Sequence, residues 1–154
     1  MLNKKTMRII RIISVLTFFI AVATFNVNGQ CKAFAKNECL PKLSPFTHDG
    51  NYHAAVLVEG EEAELYKTFY SDMDYRVAII GDSKLPDVEF IVYDDSKNII
   101  YSNKDGNKYS KTWDFRLENS KQLRLVVKVT QTSKPGDAPK SGCVSIMFGF
   151  KIKK

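Results

Sequence analysis

The chain has 154 residues, 44% of them hydrophobic, with 23 Lys and Arg against 17 Asp and Glu for a formal charge of +6. Four of the basic residues, Lys4, Lys5, Arg8 and Arg11, precede residue 12, so the rest carries 19 basic against 17 acidic residues, a net +2. That small excess removes the charge argument for a nucleic-acid partner.

The basic start runs into an apolar stretch from Ile12 to Ala23, interrupted by Ser14 and Thr17. A basic segment, a short apolar segment and small residues at the end form the pattern of a secretory signal peptide. The apolar run is shorter than the ~20 residues that cross a bilayer, so a signal peptide is favoured over an uncleaved anchor. Cleavage fits after Ala23 or after Gly29, and Gly29 leaves the polar Gln30 at the new start. Gln30 is not the small residue that lipidation of Cys31 wants before the cysteine. We therefore divide the chain into a signal peptide at 1–29, an N-terminal helix and loop segment at 30–52, and a β-sandwich domain at 53–154, with no membrane span in the mature part. The protein is expected to be exported, to the periplasm or beyond. About 125 residues then remain, the size of one domain. Its three cysteines, Cys31, Cys39 and Cys143, lie where disulfides persist. They allow one bridge and one leftover thiol. On a straight helix Cys31 and Cys39 stand ~12 Å apart, too far to bridge each other. Either can reach Cys143, and Cys39–Cys143 is the pairing favoured here.

Cys31 to Leu40 reads as a short helix with Phe34 and Ala35 inward, stopped by Pro41. A loop follows to Asn51, and from there the period is two. His53–Val58 is an apolar run suited to a strand covered on both faces. Glu59-Gly60-Glu61 makes a turn. Glu62–Tyr70, Asp74–Ile80, Asp87–Tyr93, Ile99–Tyr101, Thr112–Leu117, Leu123–Val129 and Val144–Ile152 complete about eight strands. Turn residues separate them, among them Asp94-Asp95-Ser96-Lys97-Asn98 and Asp105-Gly106, and residues 131–141 form a long polar loop. Short alternating strands at this spacing specify an all-β fold, an antiparallel two-sheet sandwich of jelly-roll type behind a short N-terminal helix. The expected inner layer is Leu65, Phe69, Tyr75, Val77, Ile79, Val88, Phe90, Val92, Phe115, Leu123, Leu125, Val127, Ile146 and Phe148.

The order Gly60-Glu61, a strand ending at Phe69, Tyr75-Arg76-Val77, a strand ending in Tyr93-Asp94, then Asn98-Ile99-Ile100-Tyr101, Trp113-Asp114-Phe115 and Leu123–Val129 resembles the bacterial pre-peptidase C-terminal domain. The likeness spans about residues 55–150. That family is a jelly-roll sandwich appended to secreted proteases and other exported enzymes. In this sequence the domain is expected to stand alone, without a catalytic domain, and a cysteine-bearing segment precedes the sandwich. The resemblance implies an accessory or binding role.

The chemistry-bearing residues agree with that expectation. No G-x-S-x-G occurs, and Ser145 lies inside a strand pattern. Cys31 or Cys39 with His48 would make a nucleophile pair only by convergence in space. Cysteines and histidines lack the paired spacing of a zinc site. No catalytic residue is assigned and no enzyme activity expected. No cofactor is expected apart from calcium: Asp72, Asp74, Asp94 and Asp95 are loop carboxylates that suit it, although aspartate is also a common turn former. Tyr93, Tyr101, Tyr109 and Trp113 are aromatics near hairpins, and an exposed row of them would bind a glycan. The leading expectation is a non-catalytic binding module for an envelope or secreted protein. A carbohydrate-binding protein is the alternative, and a secreted hydrolase of unrecognised type ranks third.

Overall fold

The computed structural model describes residues 27–106 and 108–152. The expected signal peptide lies outside these residues except for Val27–Gly29, which belong to the first helix.

Helix α1 spans Val27–Phe34. The helical path continues as a π turn at Ala35–Cys39 and a 3₁₀ turn at Leu40–Leu43. Pro41 therefore does not stop the path. It occupies the first turn of the 3₁₀ segment, where a missing N–H removes no bond. Among the described residues eleven strands follow: β1 Thr47–His48, β2 His53–Val58, β3 Glu62–Phe69, β4 Met73–Gly81, β5 Val88–Tyr93, β6 Ile99–Ser102, β7 Lys104–Asp105, β8 Lys108–Tyr109, β9 Thr112–Arg116, β10 Lys121–Val129 and β11 Ser141–Ile152.

In the first sheet β11 pairs with β4, and β4 with β9; the other side of β11 is shared by β1 and β2. The second sheet runs β3-β10-β5-β6, and β7–β8 is a separate hairpin. Every pairing is antiparallel. Setting aside the three two-residue strands, the first strand pairs with the last, the second with the seventh, and the fourth with the fifth. This nested order is the jelly roll.

The core between the sheets follows from the period of two. Phe69 packs edge-on against Tyr75, Phe115 and Phe148 at centroid distances of 4.9, 5.1 and 5.8 Å. All of the expected inner residues line this core, with Leu65, Val88 and Phe115 half-buried at its margin. Burying each large apolar side chain contributes about 1.5–3 kcal/mol.

A second core lies on the opposite face of the first sheet. Ala35, Cys39 and Leu43 from the helical segment cover Ala78, Ile80 and Met147. Gly149 permits the close approach, because a Cβ there would stand 2.7 Å from the Cβ of Phe46. The disulfide joins Cys31 to Cys143, not Cys39 to Cys143. The physical reason is position along the helical path. Cys39 lies a further two turns on, over β4 and β11, where its thiol donates to the Ala78 carbonyl at 3.4 Å.

β2 also differs from expectation. It is an edge strand, and while Leu57 is buried, Val56 on the opposite face is 43% exposed.

Candidate functional site

The two lateral openings of the sandwich are treated differently. On one side, between β6 and β9, the gap is filled by a stack of rings. Tyr101 lies on Trp113 at 4.4 Å with planes 12° apart, and Trp113 lies on Phe115 at 4.0 Å and 12°. Phe115 in turn stacks on Tyr75 at 5.5 Å. Rings large enough to bridge ~10 Å between sheets seal that side.

On the other side, between β2 and β3, the seam is open. Ladder parity points His53, Ala55 and Leu57 inward from β2, and Ala63, Leu65 and Lys67 inward from β3. Two of these are alanines at positions where the opposite side has aromatics. A cavity of about 340 Å³ results, floored by Val127, Val144 and Ile146. Its mouth is flanked by Ala55, Glu64 and Tyr52.

The far end of the seam is polar. Lys67 Nζ donates to Asp49 Oδ2 at 2.7 Å, tying β3 to the turn after β1. The same ammonium stands 4.7 Å from the Phe148 ring centre, a cation–π contact. His53 meets Phe148 edge-on at 5.6 Å. Burial pushes the His53 pKa down, and the charge of Lys67 and nearby His48 add to this while Asp49 opposes it. Burial alone would raise the Asp49 carboxyl, but the bonds from Lys67 and the Asn51 backbone outweigh it and hold the group below its ordinary value.

The near end is an acidic turn. Gly60 adopts φ +83°, where a side chain would be strained. The turn is closed by bonds from Glu61 N–H to the Val58 carbonyl at 2.9 Å and from Val58 N–H to Glu61 Oε2 at 2.8 Å. Glu59 is buried and accepts from Ser133 Oγ, from Thr132 Oγ1 at 2.5 Å and from Lys140 N–H at 3.1 Å. The Ser133 and Thr132 hydroxyls hold its carboxyl down at about 2. Glu59 thereby fastens the long 130–140 connection to the turn.

The four expected glycan-binding aromatics do not form one platform. Tyr101 and Trp113 turn their flat faces to each other and to Phe115, within the seal of the sandwich. Tyr93 lies under the Arg124 guanidinium at 4.4 Å, and Tyr109 sits in the β7–β8 hairpin near Lys104. The four aspartates are likewise spent separately. Asp94 Oδ1 and Oδ2 accept from Asn98 N–H at 2.8 Å and Asn98 Nδ2 at 3.0 Å, capping the β5–β6 turn that also holds Asp95. Asp74 accepts from Arg116 at 2.5 Å, and Asp72 lies in the β3–β4 turn. Among the described residues no group of three or more His, Cys, Asp or Glu gathers as metal ligands would. The cysteine–histidine pair does not assemble. Cys31 is in the disulfide, His48 Nε2 faces the Asn51 carbonyl at 2.9 Å, and burial pushes the Cys39 thiol up to about 11.

The seam residues were not singled out by sequence. The available signal was Ala54-Ala55 and Ala63, small side chains in strands where a sandwich wants bulk, flanking the run of glutamates from 59 to 64.

No protein-family profile matches the chain, and no curated protein matches it. Solved structures similar to it include the Aeromonas hydrophila PliG, a periplasmic lysozyme inhibitor of g-type lysozyme. That match has 15% identity and TM-score 0.48, covering 66% of this chain and 85% of that one. The Salmonella Typhimurium PliG is similar at 15% identity and TM-score 0.42, over 65% and 89% of the two chains. The pre-peptidase C-terminal domain of a Bacillus anthracis collagenase, from the family this sequence resembles, matches at 9% identity and TM-score 0.46, over 66% of this chain and 89% of that one.

Proposed function

We propose that this chain is an exported, non-catalytic binding module, an accessory of an envelope or secreted protein, and that it engages its partner along the open β2–β3 side. One observation carries the reading: an aromatic stack seals one side of the sandwich, while alanines leave the other open over an apolar cavity of about 340 Å³. Concave apolar sites with a few polar groups at the rim are where ligands bind. Export is supported by the basic and then apolar N-terminus and by the Cys31–Cys143 bridge, which persists in an oxidising compartment.

Ala55→Phe tests the reading. Ala55 is exposed at the cavity mouth, so a phenyl ring there fills the seam without disturbing the inner core. The variant is expected to keep its melting temperature and to lose capture of the partner that the unaltered protein retains from envelope or secreted extracts. Equal capture by both proteins would refute the seam as the binding surface.

A further inference from the structure

The open seam is bordered by an unusual strand edge. β3 pairs with β10 on one side only, and its register runs without interruption from Glu62↔Lys128 to Phe69↔Lys121. The bond from Val129 N–H to the Glu61 carbonyl sets the alternation of that ladder. By the two-residue period, the main-chain N–H and C=O groups of Glu62, Glu64 and Tyr66 point away from β10, towards the open side. Proteins usually blunt such edges with short strands, bulges or inward charges. The opposite edge of the same sheet obeys this rule: β6 is four residues long and its ladder shifts register at Val92/Tyr93. On β3 only the far half is blunted, by the inward Lys67 held at Asp49. The half from Glu62 to Tyr66, beside the cavity, is left available.

We propose that the partner contributes an extended segment of alternating apolar and basic side chains, which adds as a strand to β3 over Glu62–Tyr66. The inference rests on the seam being the binding surface and names what enters it. Main-chain hydrogen bonds to an edge strand give affinity, and alternate side chains give specificity. Side chains level with Ala63 and Leu65 turn inward, to the cavity facing Ala55, so they are apolar. Side chains level with Glu62 and Glu64 turn outward; Glu64 is already held by Arg124 at 2.8 Å, so Glu62, with Glu61 in the adjoining turn, supplies the acidic excess that makes them basic. Opposite charges directly across a ladder stabilise it, and like charges do the reverse. The same rule disfavours a second copy as occupant. Pairing β3 with itself about this half sets Glu64 against Glu64 or Glu62, and sliding further sets Lys67 against Ala63 or Leu65.

The test is amide-resolved NMR of the exported protein, with its disulfide formed, titrated with a short capped peptide alternating valine and lysine. A peptide alternating valine and glutamate is the control. The expected result is a set of shifts centred on the amides of Glu62, Glu64, Tyr66 and Ala55, with the lysine peptide only. Ala55→Phe should weaken its binding about tenfold or more, equivalent to ~1.4 kcal/mol, and Glu62→Lys should transfer the preference to the glutamate peptide. Absent shifts, equal shifts with both peptides, or concentration-dependent shifts at β3 without peptide, as a second copy would produce, each overturn the proposal. Should the lysine peptide fail while Ala55→Phe still abolishes partner capture, strand addition falls and the seam stands. If capture survives Ala55→Phe, the seam reading itself falls.

Discussion

Single side chains connect parts of this molecule that the backbone ladders do not. Asn103 is the clearest case: it is buried, its Oδ1 accepts from Phe90 N–H at 2.7 Å, and its Nδ2 donates to the carbonyls of Val88 and Ser110 at 3.0 Å each. It fixes the chain leaving β6 onto β5. Asn103→Ala orphans the buried Phe90 N–H and the half-buried Val88 carbonyl, while the carbonyl of the exposed Ser110 turns to water, and should cost about 3 kcal/mol in chemical denaturation. The cysteines differ in the same way. Losing the Cys31–Cys143 bridge, by Cys143→Ser, frees the helical segment from β11 and should cost about 2–5 kcal/mol. Cys39 is buried with its thiol pushed up to about 11. The folded protein should therefore show no thiol reactive to maleimide, and one after denaturation. A reactive thiol before denaturation would contradict the Cys31–Cys143 pairing or the burial of Cys39. Sequence spacing left Cys31 and Cys39 both able to reach Cys143; what decided between them was which part of the helical path lies over the Cys143 end of β11, which no local signal in the sequence indicates.

At the scale of elements, β3, β5, β9 and β10 were legible because each has one face in the core and alternates accordingly. The second core was not. It rests on the outward residues Ala78 and Ile80 of β4 and Met147 of β11. Its signal was present in the unbroken apolar run Val77-Ala78-Ile79-Ile80, since a strand covered on both faces loses its alternation. The His53–Val58 run carries the same signal yet belongs to an edge, with Val56 in solvent. Periodicity cannot separate these two cases, because the difference lies in what a distant segment covers. The aromatics show a related limit: Tyr101 and Trp113 belong to different sheets, and only the topology brings them together. Trp113→Ala should lower stability by about 2–3 kcal/mol, somewhat less than for a fully buried tryptophan. A fall in melting temperature checks this, whereas a surface glycan platform would leave it unchanged.

For the molecule as a whole, charge placement sets an acid-side limit on stability. The fold lowers the His53 pKa below its ordinary 6.5, so folding disfavours the charged form and stability falls as pH drops below that value. Glu59 and Asp49 are held below their ordinary 4.5 and 3.8, so the stability they add is present above those values and is lost as pH falls through the folded ones, about 2 for Glu59. Melting temperature against pH should therefore decline in two stages. His53→Gln should remove the upper stage alone; a profile unchanged by that substitution would count against the burial of His53 in the seam.

The asymmetry between a sealed and an open side is the feature on which the functional reading depends. It is tested most directly by hydrogen–deuterium exchange of the protein, free and bound to the partner it captures. The account predicts added protection concentrated at residues 52–66, on β2, the acidic turn and the near half of β3. Protection centred instead on β6 and β9, around the Tyr101–Trp113 stack, would contradict it.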